Sequence, residues 1–172
     1  LKVEQIPADI GSEVVLVAGY CGADGHFVMR QPVEWMMAPD GVGVIVEVGD
    51  VEADFVQRWR QQYARKTTGA FAVSYTSHKA QLLTRGTPSP CDDVRVAKGQ
   101  TWVSITSATE GTSHVTAWAK CAPGWERRRQ TATVHWIDAQ WTFPSPVIAK
   151  SGEVTSLTTT VSRASNSTPH SA

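Results

Sequence analysis

Thr131-Ala-Thr-Val-His-Trp-Ile137 decides the reading of this chain. Ala132, Val134 and Trp136 fall on one side of the run, and Thr133 and His135 on the other. Successive side chains alternate across a strand, whereas a helix repeats its apolar face every three to four residues, so this run is a half-buried strand. The same period of two recurs outward from it. Glu13 to Tyr20 sets Val14, Leu16 and Ala18 on one face, and Val33 to Met37 sets Val33, Trp35 and Met37 on one face. Thr101 to Ser107 directs Val103 and Ile105 inward, and Ser113 to Ala119 directs Val115 and Ala117 inward. These last two flank the turn Thr109-Glu-Gly111 and are expected as adjacent antiparallel strands. Phe71 to Thr76 and Gln81 to Arg85, across the polar turn Ser77-His-Lys79, are expected as a hairpin.

Turn signals at Asp24-Gly25, Asp40-Gly41, Gly49-Asp50, Pro88 to Pro90 and Lys98-Gly99 break the chain into many short strands, which predicts an all-β sandwich or barrel. One segment departs from the pattern. Val51, Phe55, Trp59 and Tyr63 recur every fourth residue and Asp50 is suited to cap them, which predicts a short helical insertion over about residues 51–65. After Trp141 the texture changes to Phe143-Pro-Ser-Pro146, followed by a second alternating run from Val154 to Val161. Residues 1–140 are therefore expected to form one sandwich domain. Residues 141–172 are expected to be a linker and the truncated start of a following repeat. The Ser, Thr and Asn-rich tail from Ser162 to Ala172 has too little apolar surface to order itself.

Composition narrows the function classes. The chain starts at Leu1 and is expected to be a fragment of a longer polypeptide. Lysine plus arginine number 16, as do aspartate plus glutamate, so no net field attracts nucleic acid or anionic lipid. No apolar run approaches the roughly 18 to 20 residues of a membrane span, and residues 1–20 lack the layout of a secretion leader. The 3 cysteines, Cys21, Cys91 and Cys121, include no CxxC pair, which disfavours structural zinc.

Ile10-Gly-Ser-Glu-Val-Val-Leu-Val-Ala18, and Trp102-Val-Ser-Ile-Thr106 followed by Glu110-Gly-Thr-Ser-His-Val-Thr-Ala117, resemble early and late strands of immunoglobulin-like sandwiches, in particular bacterial repeats of the invasin and intimin type. With Val33-Glu-Trp-Met-Met37, Arg85-Gly-Thr-Pro88 and Arg127-Arg-Arg-Gln-Thr-Ala132, the run over about residues 5–165 is similar to domains of large exported repeat proteins of planctomycete bacteria. Gly152-Glu-Val154 and Leu157-Thr-Thr-Thr-Val161-Ser-Arg163 look like the opening strand of the next repeat. The resemblance implies an immunoglobulin-like β-sandwich, a cell-surface or extracellular setting and neighbouring repeats of the same polypeptide as partners. It implies neither catalysis nor a cofactor. In antibody domains two cysteines join the sheets; the positions aligned with them are Ala18 and Thr116, with Trp35 near the place of the buried tryptophan.

In such a topology the loops holding Cys21, Cys91 and Cys121 fall at one end, and a disulfide between Cys21 and Cys121 becomes geometrically conceivable, against three unbridged thiols. No Gly-x-Ser-x-Gly elbow, His-Glu-x-x-His helix or glycine-rich phosphate cradle occurs, and His26, His78, His114, His135 and His170 are dispersed. Asp92-Asp93 with Asp24 are weighed as calcium ligands against a solvated acidic turn. Trp35 and Trp136 are in phase with the core, whereas Trp102 and Trp118 fall out of phase. That pair, with Trp125 beside Arg127-Arg-Arg129, forms the candidate set of ligand contacts for a glycan or a surface protein. The competing reading makes Trp102 and Trp118 a contact with the helical insertion or a neighbouring module, and the arginines a solvated strand edge that blocks aggregation. Two functions follow: a non-catalytic structural spacer of a multi-domain surface protein, or a carbohydrate- or protein-binding adhesion module.

Overall fold

The computed structural model describes residues 4–22, 24–49, 63–84, 90–122, 124 and 128–163. These form an all-β sandwich. The larger sheet holds six strands: β1 (Glu4–Asp9), β3 (Pro32–Met37), β5 (Arg65–Lys66), β6 (Phe71–Tyr75), β10 (Gly111–Trp118) and β11 (Arg129–Ile137), in the order β1-β11-β10-β3-β6-β5. Facing it are β2 (Glu13–Gly19), β4 (Val44–Gly49) and β9 (Gln100–Thr106), in the order β2-β9-β4. Two small ladders stand apart: β7 (Gln81–Leu83) with β8 (Val94–Val96), and β12 (Gln140–Thr142) with β13 (Thr160–Ser162). All ladders are antiparallel except one. β1 runs parallel to β11, with Glu4 opposite Ala132 and Asp9 opposite Ile137.

The alternation that marks the strands builds the core between the sheets. Leu16, Val103 and Ile105 from the three-stranded sheet meet Val33, Trp35, Val115, Val134 and Trp136 from the six-stranded one. Burying each such side chain is worth roughly 1.5–3 kcal/mol, set against the entropy of ordering it. Both core tryptophans find acceptors for their ring N–H: Trp35 Nε1 donates to Ser74 Oγ at 2.8 Å and Trp136 Nε1 to Ser113 Oγ at 2.9 Å.

Several expectations are corrected by this topology. β9 and β10 do not pair; they lie in opposite sheets, because the turn between them carries the chain across the core. Nor do β6 and β7 form a hairpin, since β6 pairs with β3 and β5 while β7 pairs with β8. Thr116 does not face the opposite sheet. Its hydroxyl lies 3.0 Å from that of Thr131 across the β10–β11 ladder, while its neighbours Val115 and Ala117 pack on the core. The inward partner across from Ala18 is thus at Ala117 rather than Thr116. Residues 51–62 of the expected helical insertion lie outside the described residues, and its last position, Arg65, opens a strand. The second alternating run, from Val154 to Val161, forms a strand only at its end, where Thr160–Ser162 pairs with Gln140–Thr142. Residues 164–172 of the tail lie outside the described residues.

Candidate functional site

β9 lies in the middle of its sheet, between β2 and β4. Thr101, Val103 and Ile105 point into the sandwich, so Trp102, Ser104 and Thr106 project from the outer face. An outer face is ordinarily wet, yet Trp102 is only 3% exposed and Ser104 is fully buried. Two things cover the indole from the described part of the chain. Beneath it, Gly49 is paired with Trp102 across the β4–β9 ladder, and a Cβ built on Gly49 would stand 2.8 Å from the ring carbons. The indole therefore occupies the space that a side chain at position 49 would need. Above it, Leu82, Leu83 and Thr84 at the end of β7 close over a cavity of about 330 Å³ that Trp102 lines together with Val15, Glu13 and Glu47. Trp102 does leave the core, as its phase requires, but it is a covered ring and not an open platform. Among the described residues its Nε1–H has no hydrogen-bond partner.

Trp118 stands on the other sheet, opposite Glu34 and Arg129 across its two ladders. Lys120 lies over its ring, with Nζ 5.0 Å from the centroid, and the same ammonium pairs with Glu34 at 2.6 Å. The Lys120 side chain is 54% exposed, so water screens the pair and its net worth is under about 1 kcal/mol. The geometric consequence is larger than the energetic one: one face of the Trp118 ring is already occupied by a cation. Trp102 and Trp118 thus belong to opposite sheets and form no shared platform. Trp125 lies outside the described residues, as does Arg127. Of the remaining arginines in that run, Arg128 Nε donates to the Ala122 carbonyl at 2.8 Å and Arg129 is exposed on β11.

The outer face of the six-stranded sheet beside Trp118 carries paired hydroxyls and imidazoles. His114 Nδ1 lies 3.0 Å from Thr133 Oγ1, and His135 Nδ1 lies 3.3 Å from Thr112 Oγ1. Each histidine is spent on a cross-strand threonine, the pairing that stabilises neighbouring strands. Asp24 accepts the His26 amide at 3.1 Å in a local turn, and among the described residues no three His, Cys, Asp or Glu side chains stand together as a metal site.

Cys21 and Cys121 are exposed and unbridged. The turns that carry them do meet at one end of the sandwich, where the Tyr20 hydroxyl donates to the Cys121 carbonyl at 2.8 Å. Beside that end, between β2 and the six-stranded sheet, a cleft of about 510 Å³ opens onto Leu16, Trp35 and the small side chains Ala18, Ala117 and Ala132, with Arg128 on its wall. Short side chains stand where a bridge or larger residues would fill the space between the sheets. Among the described residues no helix is long and apolar enough to cross a membrane.

Sequence reasoning found Trp102 by its phase but missed Glu13, Glu47 and Gly49 beside it. Gly49 is read with Asp50 as a turn, whereas it is the last residue of β4 and the point where that strand approaches Trp102 closely. No known protein family matches this chain, and no curated protein matches it either.

Proposed function

We propose that this chain is a non-catalytic spacer module of a large, multi-domain bacterial surface or exported protein, with an immunoglobulin-like sandwich of the invasin and intimin type as its repeating unit. The observation that carries this reading is the parallel pairing of β1 with β11. Two parallel strands begin at the same end and finish at the same end. The polypeptide therefore enters the sandwich at the start of β1, at one end, and leaves it at the end of β11, at the other. Modules joined in this way stack end to end and gain length with every copy. Balanced charge favours such stacking, because neighbouring modules do not repel. The hairpin of β12 and β13 then belongs to the junction, where Arg163 pairs with Glu110 of the sandwich at 3.1 Å. The setting is extracellular, and the partners are neighbouring repeats of the same polypeptide.

Small-angle scattering of single, double and triple tandem copies tests the proposal. β11 is 9 residues long, and a strand rises about 3.3 Å per residue, so each copy adds roughly 30 Å or more to the maximum dimension. A double copy with the dimensions of a compact globule of the same mass would rule the spacer out.

A second reading, an adhesion module, is favoured by one observation: the Trp102 indole borders a cleft lined also by Glu13, Glu47 and Thr84.

A further inference from the structure

We infer that copies of this chain associate head to tail, the apolar loop between β12 and β13 of one copy entering the cleft beside β2 of the next. The inference goes beyond the spacer reading. A compact tandem would end that reading and still leave the association of separate copies to be measured on its own.

The loop is the first argument. Residues 143–159 connect β12 to β13 and belong to no ladder. The chain turns back at Gly152, whose φ is 89°, and the Glu153 amide donates to the Lys150 carbonyl at 3.1 Å. On either side of that turn stand Ile148, fully exposed, and Val154, 96% exposed, and Phe143, Val147 and Leu157 are exposed as well. Apolar side chains gathered in water on one loop mark a contact surface. The base of the loop is fixed, because β12 pairs with β13 and Arg163 with Glu110 of the sandwich at 3.1 Å.

The cleft is the second argument. It has about 510 Å³ and opens onto Leu16, Trp35 and the short side chains Ala18, Ala117 and Ala132. An apolar cavity of roughly 150 Å³ takes up a benzene ring, so the cleft has room for about two or three apolar side chains. β2 runs along it as an edge strand, and among the described residues its only ladder is the one with β9. Every second residue of such a strand turns its N–H and C=O away from its partner, where an incoming extended segment takes them up. The cleft therefore calls for apolar side chains and a free backbone together. The loop supplies both.

The two surfaces lie at opposite ends of the sandwich. The cleft reaches Gly19 and Tyr20 at the end of β2, and Gln130 and Thr131 at the start of β11. The loop follows β12, past the end of β11. Its apolar tip stands in water and not in the cleft of its own copy. A contact between two different surfaces of identical copies is heterologous, so each assembly keeps one loop and one cleft unused at its ends and grows by further copies.

The test is sedimentation velocity of the whole chain, with a reductant present because Cys21, Cys91 and Cys121 are exposed thiols. The expected result is an average mass that rises with concentration through the micromolar to millimolar range. Ile148→Asp/Val154→Asp, changed at exposed positions, has no loop to donate, and Ala117→Phe has no cleft to accept one. Each variant alone stays monomeric, and a mixture of the two forms a dimer that grows no further. A wild type that is monomeric throughout, association undiminished in Ile148→Asp/Val154→Asp, or a mixture that stays monomeric overturns the inference. Should Ala117→Phe not fold, isotope-labelled Ile148→Asp/Val154→Asp is titrated with unlabelled wild type and followed by nuclear magnetic resonance. Shifts of the Ala18, Ala117 and Ala132 amide signals are then expected, and unmoved signals overturn the inference.

Discussion

Ser113 does more for the core than its size suggests. Its hydroxyl oxygen accepts from Trp136 Nε1 at 2.9 Å and from the Gly43 amide at 2.9 Å, so one oxygen satisfies donors from two different segments. Ser74 does half of this, accepting from Trp35 Nε1 alone among the hydrogen bonds described. Removing an acceptor costs the desolvation of each donor left behind, about 1–3 kcal/mol apiece. Ser113→Ala is therefore expected to lower stability by roughly 2–4 kcal/mol and Ser74→Ala by roughly half as much. Urea unfolding at equilibrium, read as the shift in midpoint at unchanged slope, measures both. Equal losses in the two variants would mean that Gly43 finds another acceptor and that the oxygen is not shared in the way described.

At the scale of elements, Gly49 and Trp102 show how one strand shapes another. A Cβ at position 49 would meet the indole at 2.8 Å, closer than packed atoms approach, so Gly49→Ala must displace the ring or the strand. A loss of about 1–3 kcal/mol is expected, most of it recovered when Trp102→Leu shortens the opposing side chain. A double-mutant cycle measured by chemical unfolding checks the coupling, and additive losses would place the cost of the alanine elsewhere. The same pair marks what was legible in the sequence. Alternation gave the inward faces of β2, β3, β9, β10 and β11 correctly, because core apolar residues recur at every second position in each of them. It could not see β4, where the ladder with β9 shifts between Ile45 and Glu47 and the inward residues Ile45 and Val48 fall three apart. Alternation also fixes which way a side chain points but not which strand lies beside it. That is why alternation alone makes β9 and β10 look like partners, although they lie in opposite sheets. The candidate site was half legible for the same reason. Trp102 announced itself by facing away from the core, but its cover comes from β7, about twenty residues earlier in the chain, and its acidic neighbours come from β2 and β4.

The whole molecule is organised by the one parallel ladder. Ile6 and Ala8 of β1 pack against the core while their strand pairs with β11 from Ala132 to Ile137. Tension applied across the sandwich enters at the start of β1 and leaves at the end of β11. It therefore pulls the two strands past each other and loads their hydrogen bonds together. A load applied at Asp9 and Ile137 acts differently. These residues are register partners at the same end of the ladder, so pulling them apart peels β1 away one bond at a time. Single-molecule pulling is expected to give a severalfold higher unfolding force when handles are placed at residues 4 and 137 than when they are placed at 9 and 137. Thermodynamic stability is the same in both experiments, so a difference reports the geometry of loading alone. Equal forces would mean that some other part of the sandwich yields first, and that the parallel pairing of β1 with β11 does not bear tension.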